Sequence, residues 1–325
     1  MFKNTLKRLG AIVMVLAMAM SVMAVTAFAE DTTPTLAKEY TKAGKATVTP
    51  SEELSFSVKT KTATDLNVDS PYYGEDGEDI PNITLTKKAD ASTFTIGGVD
   101  QLQGIGNFIY TLTENDANTA GVTYSTDEVT VNVIRSYGDN NQIVTSIAVG
   151  VKGEEGKTAS ITNTFTAGSL TIDKVVTGAL GDRNKEFEVT VTLTAPAGKT
   201  VRNNITYGTE TIAPTDWTTD DTTGVSTVTV TVTVTDTTSV TLQNIPSGVA
   251  YSVAEADYTS DGYDAASYDT YKTGTINNTA VTTKITNNKN ASTPTGVIMN
   301  IAPYVLMVAL AGGIAFFFLR RRNAE

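Results

Sequence analysis

Three residue types recur in the same order in each half of the chain, and together they could make a covalent bond. A strand-like segment near the start of each half ends on lysine, Thr35-Leu36-Ala37-Lys38 and Thr171-Ile172-Asp173-Lys174. A second ends on glutamate, Tyr110-Thr111-Leu112-Thr113-Glu114 and Tyr251-Ser252-Val253-Ala254-Glu255. Each half closes on asparagine, Ile161-Thr162-Asn163 and Ile285-Thr286-Asn287. In a strand, residues i, i+2 and i+4 share a face. Lys38 therefore lies in register with Leu36 and Tyr40, Glu114 with Tyr110 and Leu112, and Asn163 with Ile161 and Phe165. In the second half Lys174 shares a face with Ile172 and Val176, Glu255 with Tyr251 and Val253, and Asn287 with Ile285.

A buried polar group must find a partner, and burial favours the neutral forms of both Lys and Glu. A neutral ε-amine is a nucleophile. A protonated Glu can hydrogen-bond the oxygen of an Asn side-chain amide, polarise it, and carry protons as ammonia leaves. The product is a Lys–Asn isopeptide bond, with Glu114 and Glu255 as the catalytic residues of a single-turnover self-reaction rather than of an enzyme. One Lys or Glu alone in a β-protein is ordinarily solvated, and one Asn is ordinarily a turn residue. The same ordered triad twice, always on an apolar face, favours the bond. Each bond would join the first strand of a domain to its last. Closing a loop of about 100 residues is worth roughly 4–5 kcal/mol in the chain-entropy model.

The elements that must position these groups are strands. Thr227 to Thr235 alternates valine with threonine, the pattern of a half-buried strand. Clusters at Tyr73–Gly77, Gly138–Asn141 and Ser260–Gly262 punctuate the pattern as turns. The fold class this implies is all-β, two tandem immunoglobulin-like sandwiches. The expected domains are 30–166 and 167–290, meeting at a short hinge at Ala167-Gly168-Ser169.

Both ends read as export elements. Lys3, Lys7 and Arg8 precede an apolar run from Ala11 to Val25 and an Ala27-Phe28-Ala29 cleavage site, so 1–29 is a signal peptide and the mature chain starts at Glu30. The segment 291–325 holds Thr293-Pro294-Thr295-Gly296, an apolar run from Val297 to Leu319 long enough to span a bilayer, and Arg320 to Arg322. The chain has no Cys and no His, which excludes disulfides, Cys nucleophiles, Ser-His triads and His-ligated metals. The net charge is −11, and both ends are basic, so the mature segment is more acidic still. Such a segment argues against nucleic acid as a partner. The acidic cluster Glu75, Asp76, Glu78 and Asp79 lacks the spacing of an EF-hand and reads as a solvated loop. Trp217 reads as packing. The Asn-x-Ser/Thr matches at Asn82 and Asn204 carry little weight by themselves. No metal and no cofactor is expected.

The Pro-Thr-Gly motif with its helix and arginines resembles the cell-wall sorting signal of Gram-positive surface proteins, with Thr293 in the place of the usual Leu and the spacer residue missing. The Val-Pro-Thr-Gly variant of certain pilins is similar. The resemblance implies that a sortase cleaves Thr295–Gly296 and passes Thr295 to an amine. The triads, the paired sandwiches, and Leu170 to Gly178 followed by Gly181-Asp182-Arg183 and Lys185-Glu186-Phe187 resemble the shaft-pilin family of Gram-positive bacteria. That family implies isopeptide bonds Lys38–Asn163 and Lys174–Asn287, although Lys42 and Lys45 lie near Lys38. It also implies an intersubunit lysine, Lys157 by position, with Lys152 as the alternative. The implied function is a structural subunit of a sortase-assembled pilus, polymerised head-to-tail through Thr295. Its location would be the cell wall, after a transient membrane anchor, and its partners sortase, identical subunits, peptidoglycan and minor pilins. The alternative is a monomeric wall-anchored adhesin with the same domains. A surface hydrolase would need a carboxylate pair in a cleft, and no convincing pair stands out.

Overall fold

The computed structural model describes residues 36–66, 73, 77–152, 159–269, 271–290, 304–312 and 314. The signal peptide, the Thr293–Gly296 motif and Lys157 lie outside the described residues, as does most of the C-terminal apolar run. Among the described residues no helix is long and apolar enough to cross a membrane. Residues 304–312 are helical, and Tyr304, Val305, Leu306 and Val308 are exposed.

The rest is strand. The first half supplies β1 (Leu36–Gly44), β2 (Leu54–Thr64), β3 (Thr84–Lys87), β4 (Thr95–Gly97), β5 (Gly106–Glu114), β6 (Val122–Thr123), β7 (Glu128–Tyr137) and β8 (Ile143–Val151). A long β9 (Ala159–Thr177) follows. The second half supplies β10 (Phe187–Thr194), β11 (Ile205–Tyr207), β12 (Glu210–Ile212), β13 (Thr218–Thr219), β14 (Ser226–Val234), β15 (Val240–Pro246), β16 (Ala250–Glu255), β17 (Ser267–Tyr268), β18 (Thr273–Thr275) and β19 (Ala280–Asn288). The valine–threonine alternation forms β14, with Val228, Val232 and Val234 buried and the intervening threonines exposed.

These strands make two sandwiches that share one sheet. The sheet β4-β3-β2-β5-β7-β8 faces β1, β6 and the first half of β9. The sheet β13-β14-β10-β16-β18 faces β12, β11, β15, the second half of β9, β19 and β17. Phe56, Phe94, Phe108, Leu112 and Ile161 fill the first core, and Ile172, Phe187, Val191, Leu242 and Ile285 fill the second.

The segment expected to be a hinge is a strand. Ala167, Gly168 and Ser169 lie inside β9, where Gly44 pairs Ala167 and Ile245 of β15 pairs Gly168. What changes there is the strand's phase. Odd-numbered residues are buried up to Ala167, even-numbered ones from Leu170 on, and all four residues from Ala167 to Leu170 are buried. One strand can thus serve two cores without a break, because successive side chains point to opposite faces. Further bonds clamp the junction. Ser51 N–H donates to Arg202 O at 2.9 Å, Ala120 N–H to Thr200 O at 2.9 Å, and Thr47 N–H to Asn244 Oδ1 at 2.7 Å.

Candidate functional site

The two triads occupy equivalent places in the strand pairing. β1 runs parallel to β9, with Tyr40 opposite Asn163, so Lys38 sits two residues before the asparagine's partner. β9 runs parallel to β19, with Val176 opposite Asn287, and Lys174 again sits two residues before it. Both glutamates end a strand of the facing sheet. Glu114 of β5 pairs Phe56 of β2, and Glu255 of β16 pairs Val189 of β10. Strand phase puts each polar side chain inward with its apolar neighbours, and the sandwich brings the glutamate across the core.

In the first site Lys38 Nζ donates to both oxygens of Glu114 at 3.0 Å. The Lys38 side chain is 3% exposed and that of Glu114 0%. Asn163 Nδ2 donates to Glu114 Oε1 at 2.9 Å, while Asn163 Oδ1 accepts the Ser125 backbone N–H at 2.9 Å. The carboxyl group therefore lies at the amide nitrogen, and the oxygen is polarised by the backbone. The sequence-based expectation had the glutamate polarising the oxygen. The difference arises because the stretch after β6 brings a main-chain donor to the oxygen, which no side-chain pattern encodes. Burial lowers the Lys38 pKa, against the opposing pull of Glu114.

In the second site Lys174 and Glu255 are fully buried, with Nζ 2.7 Å from Glu255 Oε1. This is a close ion pair off the direction of a hydrogen bond. Neither Glu255 oxygen has a hydrogen-bond partner among the described residues. The Lys174 amine donates instead to Asn287 Oδ1, and it lies 4.0 Å from the centroid of the Phe187 ring. Burial lowers its pKa too, with Glu255 opposing. Both sites thus hold an amine biased toward its neutral, nucleophilic form beside a carboxyl group and a primary amide.

The other expected residues fall elsewhere. Lys42 is exposed and donates to Thr47 O at 2.9 Å, and Lys45 contributes its backbone N–H to Ala167 O. Lys152, at the surface, donates to Glu128 Oε2 at 2.8 Å, and Lys59 donates to the other oxygen. Glu128 is held at a pKa of about 2, first by Lys152 and then by Lys59. Among the described residues no cluster of His, Cys, Asp or Glu could hold a metal ion. Trp217 packs on the rim of the second core. Asn82 accepts from Lys61 at 2.9 Å.

Two features of these sites went unread in the sequence. One is the Ser125 N–H. The other is Glu52, buried beside the first triad and bonded to Tyr40. Glu52 shares the phase of Leu54 and Phe56, so the rule that found the triads would have found it too.

A family model described as a domain of unknown function, DUF7601, matches residues 168–289. A protein named pilin from Streptococcus pyogenes serotype M1 is 28% identical over 239 residues, 67% of this chain and 68% of that one. Among solved structures, a major pilin from Streptococcus pyogenes aligns with 79% of this chain and 98% of its own, at 18% identity and a TM-score of 0.48. The major pilin of another S. pyogenes serotype aligns with 80% and 99%, at 18% identity and a TM-score of 0.44. By sequence the chain is related to the pilins of Gram-positive bacteria.

Proposed function

We propose that the chain is a structural subunit of a surface pilus, stiffened by two intramolecular isopeptide bonds, Lys38–Asn163 and Lys174–Asn287. The observation that carries this reading is the repeated register: in two sandwiches a buried lysine precedes by two residues the partner of a buried asparagine on a parallel strand, with a buried glutamate facing both. Kinship with a streptococcal pilin supports the pilus assignment.

The chemistry balances within each triad. The lysine ammonium gives a proton to the glutamate, and the free Nζ attacks the asparagine Cγ. Charge develops on Oδ1, which in the first site accepts the Ser125 N–H. The Cγ–Nδ2 bond then breaks. Nζ sheds two protons in all: the glutamate relays one to the departing nitrogen, which leaves as ammonia, and keeps the other, so it ends protonated. In the first site the Nδ2–Oε1 contact of 2.9 Å suits that last transfer.

β9 gives the bonds a mechanical sense. It carries Asn163 of the first site and Lys174 of the second, so both cross-links would meet on one strand running between the cores. Tension entering at β1 would pass to β9 and leave through β19 by covalent bonds, without stretching either sandwich. In this reading Thr295 is joined by a sortase to Lys157 of the next subunit, or to Lys152.

The test is a proteolytic map of the full-length chain by mass spectrometry. The peptides of Lys38 and Asn163 should appear joined with loss of one ammonia, as should those of Lys174 and Asn287. Lys38→Ala should abolish only the first link and Lys174→Ala only the second; free peptides in the parent would sink the proposal. For assembly, cell-wall extracts should show a ladder of polymers that collapses with Lys157→Ala. A single band in the parent would favour a monomeric adhesin.

A further inference from the structure

The first site contains a buried carboxylate that the chemistry above does not use. Glu52 is 3% exposed and accepts three hydroxyl hydrogen bonds. Tyr40 donates to its Oε1, and Thr119 and Tyr124 to its Oε2, Tyr124 at 2.5 Å. Tyr40 stands opposite Asn163 in the β1–β9 pairing, on the same face as Lys38. The Asn163 side chain lies beside that hydroxyl and acts to lower its pKa, as an approaching amide N–H does. Burial and then Glu52 push the Tyr40 pKa up, so the hydroxyl keeps its proton.

A phenol has one hydrogen to donate. With that hydrogen committed to Glu52, the Tyr40 oxygen can only accept from Asn163, and an amide accepts through oxygen and donates through nitrogen. Glu52 therefore acts with Glu114 and the Ser125 N–H in setting which way round the Asn163 amide sits: Nδ2 toward Glu114 and Tyr40, Oδ1 toward Ser125. Without that commitment Tyr40 could donate to Oδ1 instead, and the amide could turn its oxygen away from the backbone donor. The second site is built otherwise. Val176 holds the place of Tyr40. Counted from the glutamate's strand partner, the place of Glu52 falls on Lys185, which pairs with Asp261 at 3.0 Å.

We propose that Glu52 is a positioning residue for the first isopeptide bond, acting through the Tyr40 hydroxyl to hold the Asn163 amide in its reactive orientation. The proposal rests on the isopeptide reading of the first triad.

The test follows both cross-links separately in the full-length chain, by peptide mapping at intervals after a pulse of synthesis. Tyr40→Phe deletes one oxygen and keeps the ring; Glu52→Gln keeps the shape and replaces the carboxylate. Each should slow the Lys38–Asn163 link by about tenfold or more, as misorientation of a reacting group does. The Lys174–Asn287 link in the same molecules should keep the parent's time course and report that export and folding proceed. The double variant should be no slower than Tyr40→Phe alone, because Glu52 acts only through that hydroxyl. Parent-like kinetics in both single variants would overturn the proposal. So would additive slowing in the double variant, which is what two merely structural roles would give. A parent that never forms the first link would instead overturn the triad reading itself, and the two failures are told apart by the parent alone.

Discussion

The two triads share a register but not a neighbourhood. Around Lys38 the first sandwich gathers Glu114, the Ser125 N–H and the Tyr40–Glu52 pair, so Glu114, Asn163 and Glu52 each have more than one partner. Around Lys174 the second sandwich leaves a drier site, with an aromatic face under the amine and a carboxyl group that pairs with that amine but has no hydrogen-bond partner among the described residues. The strand pairing fixes where the reactive atoms lie. The side chains around them decide how costly each charge is before the bond forms, and how much is lost if a partner is removed.

That comparison breaks hardest at the glutamates. Glu255→Ala should prevent the second link and leave the buried Lys174 without its close ion-pair partner, with only Asp236 still favouring its charge. Loss of the cross-link costs about 4–5 kcal/mol in the chain-entropy model, and an orphaned buried charge about 3–5 kcal/mol more. Glu114→Ala should prevent the first link but destabilise less, because Glu52, bound only by neutral hydroxyls, also favours the charge on Lys38, whereas Asp236 near Lys174 is already paired with Arg183. Urea unfolding of the two variants, read with a probe in each sandwich, checks the order. Equal losses would mean that Glu52 gives Lys38 no effective support.

Gly168 offers a subtler separation of the two sites. A Cβ there would lie 2.6 Å from Thr279 O and 2.7 Å from Asn277 O, backbone atoms of the turn that leads into β19. Gly168→Ala must push that turn aside, at a cost of about 1–3 kcal/mol for overpacking. β19 carries Asn287, so formation of the second link should slow while the first keeps its pace. Time-resolved peptide mapping would register the difference.

Much of this was legible because a strand is a simple code. Period-two alternation located β14, and the polar residue at the end of each apolar face located Lys38, Glu114, Asn163 and their counterparts. The hinge was misread because Gly168 and Ser169 look like a linker. In the fold their small size serves close backbone approach, within a strand that changes its buried face. The orientation of Asn163 could not be read at all, since its oxygen is held by a main-chain N–H supplied from the stretch after β6. Glu52 was readable by the same phase rule but precedes β2 by two residues, where an acidic side chain looks like a loop.

The smallest expected effects come from pH, and they distinguish the two sites without altering the glutamates. Asn163→Ala and Asn287→Ala each leave one lysine free to titrate. In both sites burial holds the folded-state pKa below the ordinary 10.5. Between that lowered value and 10.5 the unfolded chain binds more protons than the folded one. Stability must therefore rise with pH through this window and level off above it. The parent should lack the rise, because an amide nitrogen does not titrate there. The rise should extend over a wider range in Asn287→Ala than in Asn163→Ala, if Glu114 and Glu52 together hold Lys38 closer to its ordinary value than Glu255 and the Arg183-paired Asp236 hold Lys174. Urea midpoints from neutral pH up to 10.5 measure it. Identical curves for the two variants would mean that the second carboxylate beside Lys38 orients Asn163 without changing the charge balance of the amine.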